Sequence, residues 1–405
     1  MHMLAGLLLG CAAIGGAYQL FQLFAVWRFF RHARRAAIGS STANLPPVTV
    51  LKPLKGPAIA LYETLASFCR QDYPGFQIVF GVEDPADPAV AIVQRIRRDF
   101  PNVDMVLSVG RVPGANRKVA NLCQMMRHAR HGILVMSDSD IRVRHDYLRT
   151  LVAPLAADPA VGLTTCLYRG RAPLGLPSVV ESLFINTDFM PMVLSAQIVQ
   201  KFEYAYGASI ALRRDALDAI GGFAAIADHL ADDYQLGNRI AKLGYCLVLL
   251  PYVVETVLDS VTFGDVWRHQ LRWARTYRVC QPAGWFFSIL THATTFGVLA
   301  ALLVGGAAGA AVLAGTLALR LGTLALILGM LGDRRSRRRL WLVPPKDLVS
   351  TAVWLGAWTG REVAWSGQRL HVAPDGRMVA LGTPAVLEPA STATPASEPL
   401  RAAER

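Results

Sequence analysis

The chain has few charged residues. Asp, Glu, Lys and Arg make up 17% of its 405 residues, whereas hydrophobic residues make up 53%. A soluble globular protein usually carries about a quarter charged residues, so this composition is atypical of a purely soluble domain. The deficit of charge predicts membrane-embedded segments, and the length allows one sizeable globular domain beside them.

Cysteine is also sparse, and motifs for binding nucleic acid are missing. The six cysteines are scattered without a CxxC pair, which indicates neither a zinc site nor a disulfide framework. Lys+Arg number 41 against 29 Asp+Glu, a net charge of +12. Because no aromatic RNP run or zinc-finger spacing accompanies this excess, we expect no nucleic-acid partner. Much of the excess instead lies beside apolar runs, at 28–35 and 334–339, which is typical of loops next to a bilayer.

Two long apolar runs predict the membrane segments. Residues 3–27 are apolar almost throughout, long enough to cross a hydrocarbon core of about 30 Å. A signal peptide is the alternative, but here the positive charge follows the apolar stretch. The run 285–332 is too long for one helix and fits two, with a turn near Gly305-Gly306. The basic clusters then place the N-terminus outside and the segment after residue 35 in the cytoplasm.

Strands alternate with helices between these runs. The predicted strands are VTVLK (48–52), FQIVFGV (76–82), MVLSV (105–109) and GILVMSD (132–138), and the intervening helices are 58–70, 88–99 and 116–130. This alternation predicts an α/β, Rossmann-like domain with a doubly wound, mostly parallel sheet. Ligands of such sheets bind beyond the carboxyl ends of the strands, where Asp84 and Asp138 lie.

The predicted organisation therefore has one N-terminal and about two C-terminal transmembrane helices, plus an interfacial helix, around one α/β domain. The predicted segments are a transmembrane helix (1–30), a basic linker (31–47), the α/β domain (48–262), an interfacial helix (263–284), a transmembrane hairpin (285–332), a basic loop with an interfacial helix and a small hairpin (333–380), and a disordered tail (381–405).

The sequence SDSD at 137–140 follows an apolar strand and is the central chemical motif. If the segment is extended, Asp138 and Asp140 point the same way and can face one ion. Hard cations such as Mg²⁺ or Mn²⁺ take oxygen ligands and commonly bridge to phosphates, so this pair could clamp a diphosphate leaving group. A polar turn after the strand is the alternative interpretation.

Three further positions support the chemical interpretation, although each has a structural alternative. Asp84 could accept a hydrogen bond from a nucleotide base, or belong to a turn. One acid of the pair Asp232-Asp233 could act as a general base, or both could cap a helix. Arg272 could form a bidentate contact with a phosphate while Trp273 lines an acceptor groove, or both could belong to an interfacial helix. The ordered combination favours a nucleotide-dependent transferase. In contrast, Asn186 and Asp188 are interpreted as solvated loop residues.

This order of motifs resembles the family 2 type of glycosyltransferases, whose signature is D, DxD, (E/D)D and (Q/R)xxRW on a GT-A fold. The similarity is greatest to the ceramide glucosyltransferase group, and within it to the bacterial branch from hopanoid biosynthesis. The strings that carry it are VTVLKPLKG (48–56), DYPGFQIVFGVEDPADPA (72–89), FPNVD (100–104), NRKVANL (116–122), SDSDIRV (137–143), LTTCLYRGR (163–171), ADDY (231–234) and HQLRWAR (269–275). His269 departs from the signature, so the role of a Gln or Arg there does not carry over.

The resemblance implies a role for each matching residue. It implies that Lys52, Pro53 and Leu54 border the uridine of a UDP-sugar and that Asp84 reads the uracil. Lys118 would lie near the donor phosphates, and Asp138 and Asp140 would hold a divalent metal, Mg²⁺ or Mn²⁺. Asp233 would be the catalytic base of an inverting transfer, with Arg272 and Trp273 closing over the pyrophosphate and the acceptor. A histidine of the ceramide enzymes that is thought to touch the acceptor falls near Asp188.

The leading hypothesis is thus a transferase in a bacterial inner membrane, with its catalytic domain on the cytoplasmic side. It would move N-acetylglucosamine from a UDP-sugar to a membrane lipid, a hopanoid polyol such as bacteriohopanetetrol. Glucose transfer to ceramide is the close alternative. A processive polysaccharide synthase would need a longer transmembrane channel, and a non-enzymatic membrane scaffold would not need the acids. The sequence leaves the oligomeric state open.

Overall fold

The computed structural model describes residues 2–36, 45–58, 60–365 and 368–381. Most of the predicted tail (381–405) and residues 37–44 of the predicted linker lie outside the described residues. The described chain contains one large sheet with its helices, a set of long apolar helices, and a small sheet.

The large sheet has eight strands in the order β3-β2-β1-β4-β7-β6-β8-β5. Its strands are β1 (Val48–Pro53), β2 (Phe76–Val82), β3 (Asp104–Val109), β4 (Ile133–Ser137), β5 (Ile141–Arg142), β6 (Val161–Arg171), β7 (Ser209–Arg213) and β8 (Cys246–Val257). The block β3-β2-β1-β4 is parallel, with Val48 opposite Phe76 and Ile133. Antiparallel β7 follows β4, and β6 pairs with β8 in parallel. The predicted doubly wound, mostly parallel fold is confirmed.

The central strands are buried on both faces, which explains their continuous apolar runs. Every residue of β1 is buried. Val50 packs into one hydrophobic core with Phe68, whereas its neighbour Leu51 packs into a second core with Leu122. Side chains alternate across a strand, so one apolar run supplies both cores.

Helices cover both faces of this sheet and connect its strands. They are α2 (Leu61–Cys69), α3 (Ala89–Asp99), α4 (Arg117–Met125), α5 (Tyr147–Ala157), α6 (Leu176–Leu183), α7 (Met190–Val199), α8 (Arg214–Ala219) and α9 (Asp232–Lys242). α4 begins where the Asn116 side chain accepts from the Val119 N–H at 3.2 Å, a local cap. It ends at Met125, earlier than the predicted position 130.

Long apolar helices flank the sheet domain. They are α1 (His2–Ala36), α12 (Ala293–Val304) and α13 (Gly306–Met330), joined to the domain through α10 (Phe263–Cys280), α11 (Pro282–Phe287), α14 (Arg334–Arg337) and α15 (Val343–Gly356). Among the described residues, His2–Arg31, Leu176–Val199 and Gly306–Met330 are long and apolar enough to cross a membrane. Pro282–Thr291 with Ala293–Val304 would add a fourth span if this pair, bent by 47°, is counted as one. The chain is a membrane protein.

Small residues allow the apolar helices to approach closely. A Cβ on Gly297 of α12 would lie 2.7 Å from Thr316 of α13, and one on Gly15 of α1 would lie 2.7 Å from Ala293. Close approach at such positions is how helices associate in lipid, where burial of apolar surface gives no driving force. Gly305 and Gly306, with φ of 68° and 54°, form the turn between α12 and α13.

Asn186 and Asp188 are not in a solvated loop, so that interpretation was wrong. They lie in a π-helical turn, Phe184–Phe189, between α6 and α7. Asn186 is buried and donates to the Asp333 carboxylate at 2.8 Å. Asp188 accepts from Arg320 of α13 at 2.7 Å and from Lys346 of α15 at 2.5 Å. The apolar segment before these residues gave no sign of partners more than a hundred positions away.

Asp188, Arg320, Lys346 and Asp347 form the buried ion cluster, in which the three residues of α13 and α15 are buried and Asp188 is partly exposed. Asp347 completes it, 3.0 Å from Arg320 and 2.8 Å from Lys346. Two carboxylates therefore meet two cations, which is the pairing that buried charges require. The cluster connects the π-helical turn of the sheet domain to α13 and α15.

A three-stranded antiparallel sheet lies beside the start of α9. Its strands are β9 (Glu362–Trp365), β10 (Gln368–Val372) and β11 (Met378–Ala380). Gly376, with φ of 86°, lies in the turn between β10 and β11. The Leu230 N–H donates to the Gly376 carbonyl at 3.0 Å, and the Met378 N–H donates to the Asp228 carbonyl at 2.7 Å. These bonds hold the small sheet next to Asp232 and Asp233.

Candidate active site

Lys52 lies at the carboxyl end of β1, beneath the acids that follow β4. Its ammonium group is buried, 4.0 Å from the centre of the Phe68 ring. It donates to the Asp138 carbonyl and lies 3.5 Å from the Ser137 hydroxyl. Burial lowers the pKa of Lys52 to about 7, although Asp140 and Asp138 oppose that shift. Lys52 therefore holds the backbone of the DxD motif in place.

Lys118 joins acids from two distant parts of the chain. It lies in the first turn of α4, and its ammonium group is 2.7 Å from Asp138 and 3.2 Å from Asp232. Burial lowers the pKa of Lys118, but Asp138 and Asp232 together hold it above its ordinary value. The lysine is thus a fixed cation at the centre of the acidic group. A small anion that took the place of the Asp138 or Asp232 carboxylate would pair with the positive charge of Lys118.

After Asp138 the chain turns at Ser139 and Asp140, which is the backbone path of the alternative interpretation and not the extended one. The Ile141 N–H donates to the Asp138 carbonyl at 3.3 Å, closing that turn. The two acids nevertheless interact. Burial raises the pKa of Asp140 to about 6, and the negative charge of Asp138 contributes to that rise. The Thr256 hydroxyl of β8 donates to Asp140 at 2.6 Å and orients it.

These two carboxylates fit a divalent cation shared with a substrate. Each uses one oxygen for a protein contact, Asp138 with Lys118 and Asp140 with Thr256. Their mutual repulsion is what a cation would relieve. No cluster of three His, Cys, Asp or Glu side chains fit to hold a metal occurs in the described part of the chain. Magnesium in proteins is often held by one or two carboxylates plus substrate phosphates and water, and this pair could form a site of that kind.

Asp233, the second residue of α9, is held by two backbone groups. One oxygen accepts from the Gly207 N–H at 2.7 Å and the other from the Tyr234 N–H at 2.8 Å. Burial, and then the neighbouring Asp232, raise the pKa of Asp233 to about 6. A Cβ on Gly237 would lie 2.6 Å from the backbone of Ala205, so a glycine there lets α9 approach this segment. The carboxyl is thus oriented and poised to accept a proton near neutral pH.

Arg272 and Trp273 lie on α10, which passes over the acids. Burial lowers the pKa of Arg272, and Asp138 and Asp232 offset part of that shift, so the guanidinium lies within their field. Its centre is 5.5 Å from the Trp365 ring of β9. Trp273 packs against the hydrophobic cluster that contains Phe189 and Tyr206. The structure therefore brings Lys52, Lys118, Asp138, Asp140, Asp233 and Arg272 into one region.

Asp84, Pro53 and Leu54 lie at the edge of this region. Asp84 is exposed after β2 and accepts from the Ala86 N–H at 2.8 Å within a turn. β1 separates β2 from β4, which places Asp84 about 10 Å to the side of the DxD motif. Pro53 ends β1, and the Leu54 side chain is buried in a hydrophobic core. Among the described residues, Asp84 makes no direct contact with the central acids.

Glu181 is the clearest residue that the sequence did not reveal. It is buried on α6, 3.0 Å from His269 on α10, and it accepts from the Ser260 hydroxyl. His269, the departure from the signature, thus ties the helix that carries Arg272 to the sheet domain. A glutamate in an apolar helical stretch was the available signal. Trp365 was also missed, because the predicted hairpin gave no indication of what it covers.

A mostly parallel sheet with acids, two lysines and an arginine gathered above its carboxyl edge is the arrangement of a GT-A-type transferase domain. Apolar helices long enough to cross a membrane flank this domain. The sequence model described as glycosyl transferase family 21 matches residues 7–378, and the chain belongs to that family. This assignment refines the broader resemblance to family 2 type enzymes.

Several relatives are ceramide glucosyltransferases. Ceramide glucosyltransferase 3 of Caenorhabditis elegans is 26% identical over 234 residues, 58% of this chain and 51% of the relative. Ceramide glucosyltransferase 1 of the same organism is 25% identical over 259 residues, 64% of this chain and 55% of the relative. The matched region thus spans about half the length of these relatives. Among solved structures, a mannosyltransferase from Pyrobaculum calidifontis in complex with GDP-mannose and Mn²⁺ is 21% identical, covers 86% of this chain and 97% of its own, and has a TM-score of 0.49.

Proposed function

We propose that the protein is an inverting, metal-dependent glycosyltransferase that moves a sugar from a UDP-sugar to the hydroxyl group of a membrane lipid. The observation that carries this proposal is the bridge formed by Lys118 between Asp138 and Asp232. This bridge supports a single site, in which an acid that follows β4 and an acid at the start of α9 face the same lysine. Family membership supports the reaction class, and the apolar helices support a substrate in the bilayer.

The donor would lie across the carboxyl edge of the sheet. Lys52, Pro53 and Leu54 would border the uridine, and Asp84 would accept from the uracil. The lateral offset of Asp84 from the DxD motif suits this division, because base and diphosphate occupy different parts of one nucleotide. Lys118 and Arg272 would meet the diphosphate as its charge develops, and Trp273 would line the side from which the acceptor enters.

Asp138 and Asp140 would hold Mg²⁺ or Mn²⁺ together with the diphosphate oxygens. When bound, such an ion neutralises charge on the leaving group. Lys118 already lies between the DxD motif and Asp232, so the diphosphate would take over part of its pairing. The Lys118 ammonium group would therefore be paired with negative charge both before and after the donor binds.

Asp233 would act as the general base. The lipid hydroxyl oxygen forms a bond to the anomeric carbon of the sugar while its proton passes to the Asp233 carboxylate. The bond between that carbon and the UDP oxygen breaks, and UDP leaves with the electron pair. A single base and direct displacement invert the anomeric centre. The raised pKa of Asp233 supports this role, because a base works best when its pKa is near the working pH.

The preferred acceptor is a hopanoid polyol and the preferred sugar is N-acetylglucosamine, because strings such as LTTCLYRGR and HQLRWAR resemble the bacterial hopanoid branch. Glucose transfer to ceramide is the second candidate, supported by the ceramide glucosyltransferases among the relatives. The basic clusters favour a catalytic domain on the cytoplasmic side of a bacterial inner membrane.

A crossed assay separates these candidates. Purified full-length protein with Mg²⁺ is given UDP-N-acetylglucosamine or UDP-glucose, each with bacteriohopanetetrol or ceramide, and the lipids are analysed by mass spectrometry. We expect N-acetylglucosaminyl hopanoid. If glucosylceramide were the only product, the preferred substrates would be rejected, but the proposal of a glycosyltransferase would stand. Polymer would indicate a processive synthase, and the absence of transfer to any lipid would reject the proposal.

A further inference from the structure

An arginine-lined cavity of about 640 Å³ opens between the sheet domain and the end of α13. Its floor comes from β5, β6 and β8, and its other wall comes from the segment 332–339. The volume is that of a pocket for a small organic ligand. None of the residues assigned to donor or acceptor chemistry lines it.

The floor of this cavity carries more positive than negative charge. Glu255 is paired with Arg169 at 2.8 Å and Arg171 at 3.3 Å, and it lies 4.0 Å from Arg142. One carboxylate thus serves three guanidinium groups. Because burial of Glu255 would otherwise raise its pKa, the lowered pKa of this carboxyl reports how strongly the arginines act on it.

The opposite wall adds arginines without partners. Arg334, Arg335 and Arg339 are exposed, and none of them forms an ion pair with any other described residue. The one acid on this wall, Asp333, is used by the Asn186 amide at 2.8 Å and the Ser336 N–H at 3.0 Å. Seven of the lining residues are arginines and two are acids, so the cavity is suited to an oxyanion such as a phosphate group.

The position of the cavity favours a ligand that belongs to the bilayer. Gly332 lines it and follows α13, the apolar helix Gly306–Met330, almost at once. Trp341, two residues beyond Arg339, is 68% exposed, as is typical of tryptophans at a membrane interface. Basic residues next to the cytoplasmic end of a spanning helix are a recurring site for anionic lipids.

The cavity lies on the other face of β6 from the candidate active site. Neighbouring residues on a strand point to opposite faces, and Tyr168 lies in the field of Asp233, Asp138 and Asp140 while Arg169 lines the cavity. The two sites are nevertheless adjacent along the chain, because Glu255 of the cavity precedes Thr256, the hydrogen-bond donor to Asp140.

We propose that this cavity binds the phosphodiester headgroup of an anionic phospholipid of the host membrane. The phosphate accepts from the wall arginines, and the acyl chains remain in the bilayer beside α13. The lipid is a ligand that the protein retains, distinct from the acceptor that is consumed. This inference does not depend on the proposed reaction, since it concerns binding alone.

The test measures binding by thermal unfolding of the full-length protein in a neutral detergent. Dioctanoyl phosphatidylglycerol is titrated in, with dioctanoyl phosphatidylcholine as the neutral lipid and inorganic phosphate as the free anion. A ligand that binds the folded state raises the unfolding temperature. We expect phosphatidylglycerol to raise it in the wild type, and phosphatidylcholine and phosphate to leave it unchanged at equal concentrations.

Two matched variants distinguish the cavity from general surface charge. R334Q/R335Q removes two arginines that line the cavity, and R337Q/R338Q removes two exposed arginines of the same segment that do not. We expect the first to weaken phosphatidylglycerol binding about tenfold or more, because two charge-assisted contacts are lost. The second should bind like the wild type.

Three results would overturn the proposal. Equal weakening in both variants would mean that the lipid responds only to net charge. A shift of the same size with inorganic phosphate would mean that the cavity takes a free anion. The absence of any shift with phosphatidylglycerol in the wild type would mean that no such site exists. Because both variants alter exposed residues without ion pairs in the described structure, an unfolded variant is not expected, and the unfolding curves themselves report it.

Discussion

Replacing Asp233 with Asn tests the candidate base while changing the volume of the side chain very little. The carboxylate accepts from two N–H groups, those of Gly207 and Tyr234. An amide has one oxygen, so one of these N–H groups would face the amide nitrogen instead. Loss of that bond costs about 1–3 kcal/mol of folding free energy.

A second effect opposes this cost. The pKa of Asp233 rises from 3.8 to about 6 on folding, so at neutral pH the ionised carboxylate destabilises the folded state by about 3 kcal/mol. A neutral amide removes that penalty. Since the two effects are of similar size and opposite sign, we expect the unfolding temperature of Asp233→Asn to stay close to that of the wild type.

The rate should change far more than the stability. Loss of a general base lowers the turnover rate by about 10²- to 10⁴-fold. The base acts only when deprotonated, so the wild-type kcat/KM should fall about tenfold per pH unit below pH 6 and level off above it. With saturating Mg²⁺, which would keep Asp138 and Asp140 ionised, the residual activity of Asp233→Asn should lack this acidic limb. Initial rates with UDP-sugar and lipid acceptor from pH 5 to 8 would measure both.

Asp215→Asn is the matched control. Asp215 is likewise the second residue of a helix, α8, and accepts from the next N–H, that of Ala216, at 2.8 Å. It lies outside the candidate site, so its variant should retain wild-type rates and the acidic limb. If Asp233→Asn kept turnover within about tenfold of the wild type, or kept the same pH profile, the assignment of the base would be refuted.

Three further predictions concern the metal, the phosphate contact and the buried ions. Chelation with EDTA should abolish transfer, and Mg²⁺ or Mn²⁺ should restore it. Full activity in EDTA would exclude the metal-binding role proposed for Asp138 and Asp140. Arg272→Lys keeps the charge but loses the planar fork, so kcat/KM should fall about 10- to 100-fold with an unchanged unfolding temperature. Asp188→Asn deprives buried Lys346 of one partner and should destabilise the protein by about 3 kcal/mol in a detergent unfolding assay, whereas Glu203→Gln, in an exposed pair, should change stability by less than about 1 kcal/mol. Equal effects of these last two changes would mean that the ion cluster contributes no more than a surface pair.

The fold could be predicted because its signals are local. Apolar strands such as Val48–Pro53 alternate with amphipathic helices, and that alternation predicts a mostly parallel sheet covered by helices. Antiparallel β7 and the crossing of β6 to β8 carry no such local signal, since they depend on pairing between residues far apart in sequence. The end of α4 was also misplaced, because helix ends depend on contacts beyond the helix.

The parts of the candidate site that could be predicted are those whose residue types occur in a recognisable order along the chain. The acids after β4 and at the start of α9 were identified, although their roles remain proposals. The turn after Asp138 was identified only as an alternative, because an i, i+2 spacing is compatible with more than one backbone path. Glu181 and Trp365 acquire their positions only when α10 folds over the sheet, so no spacing along the chain reveals them.

The buried ion cluster has a mechanical consequence. Because Asp188 is bonded to both Arg320 and Lys346, the sheet domain and the apolar helices cannot tilt independently without separating buried charges. In the proposed reaction the site would therefore stand at a constant height above the lipid, and a bilayer of different thickness would raise or lower the whole molecule instead of bending it at a joint. The acceptor would then have to bring its hydroxyl up to that height, which would make the length of its polar stem a determinant of whether it can react.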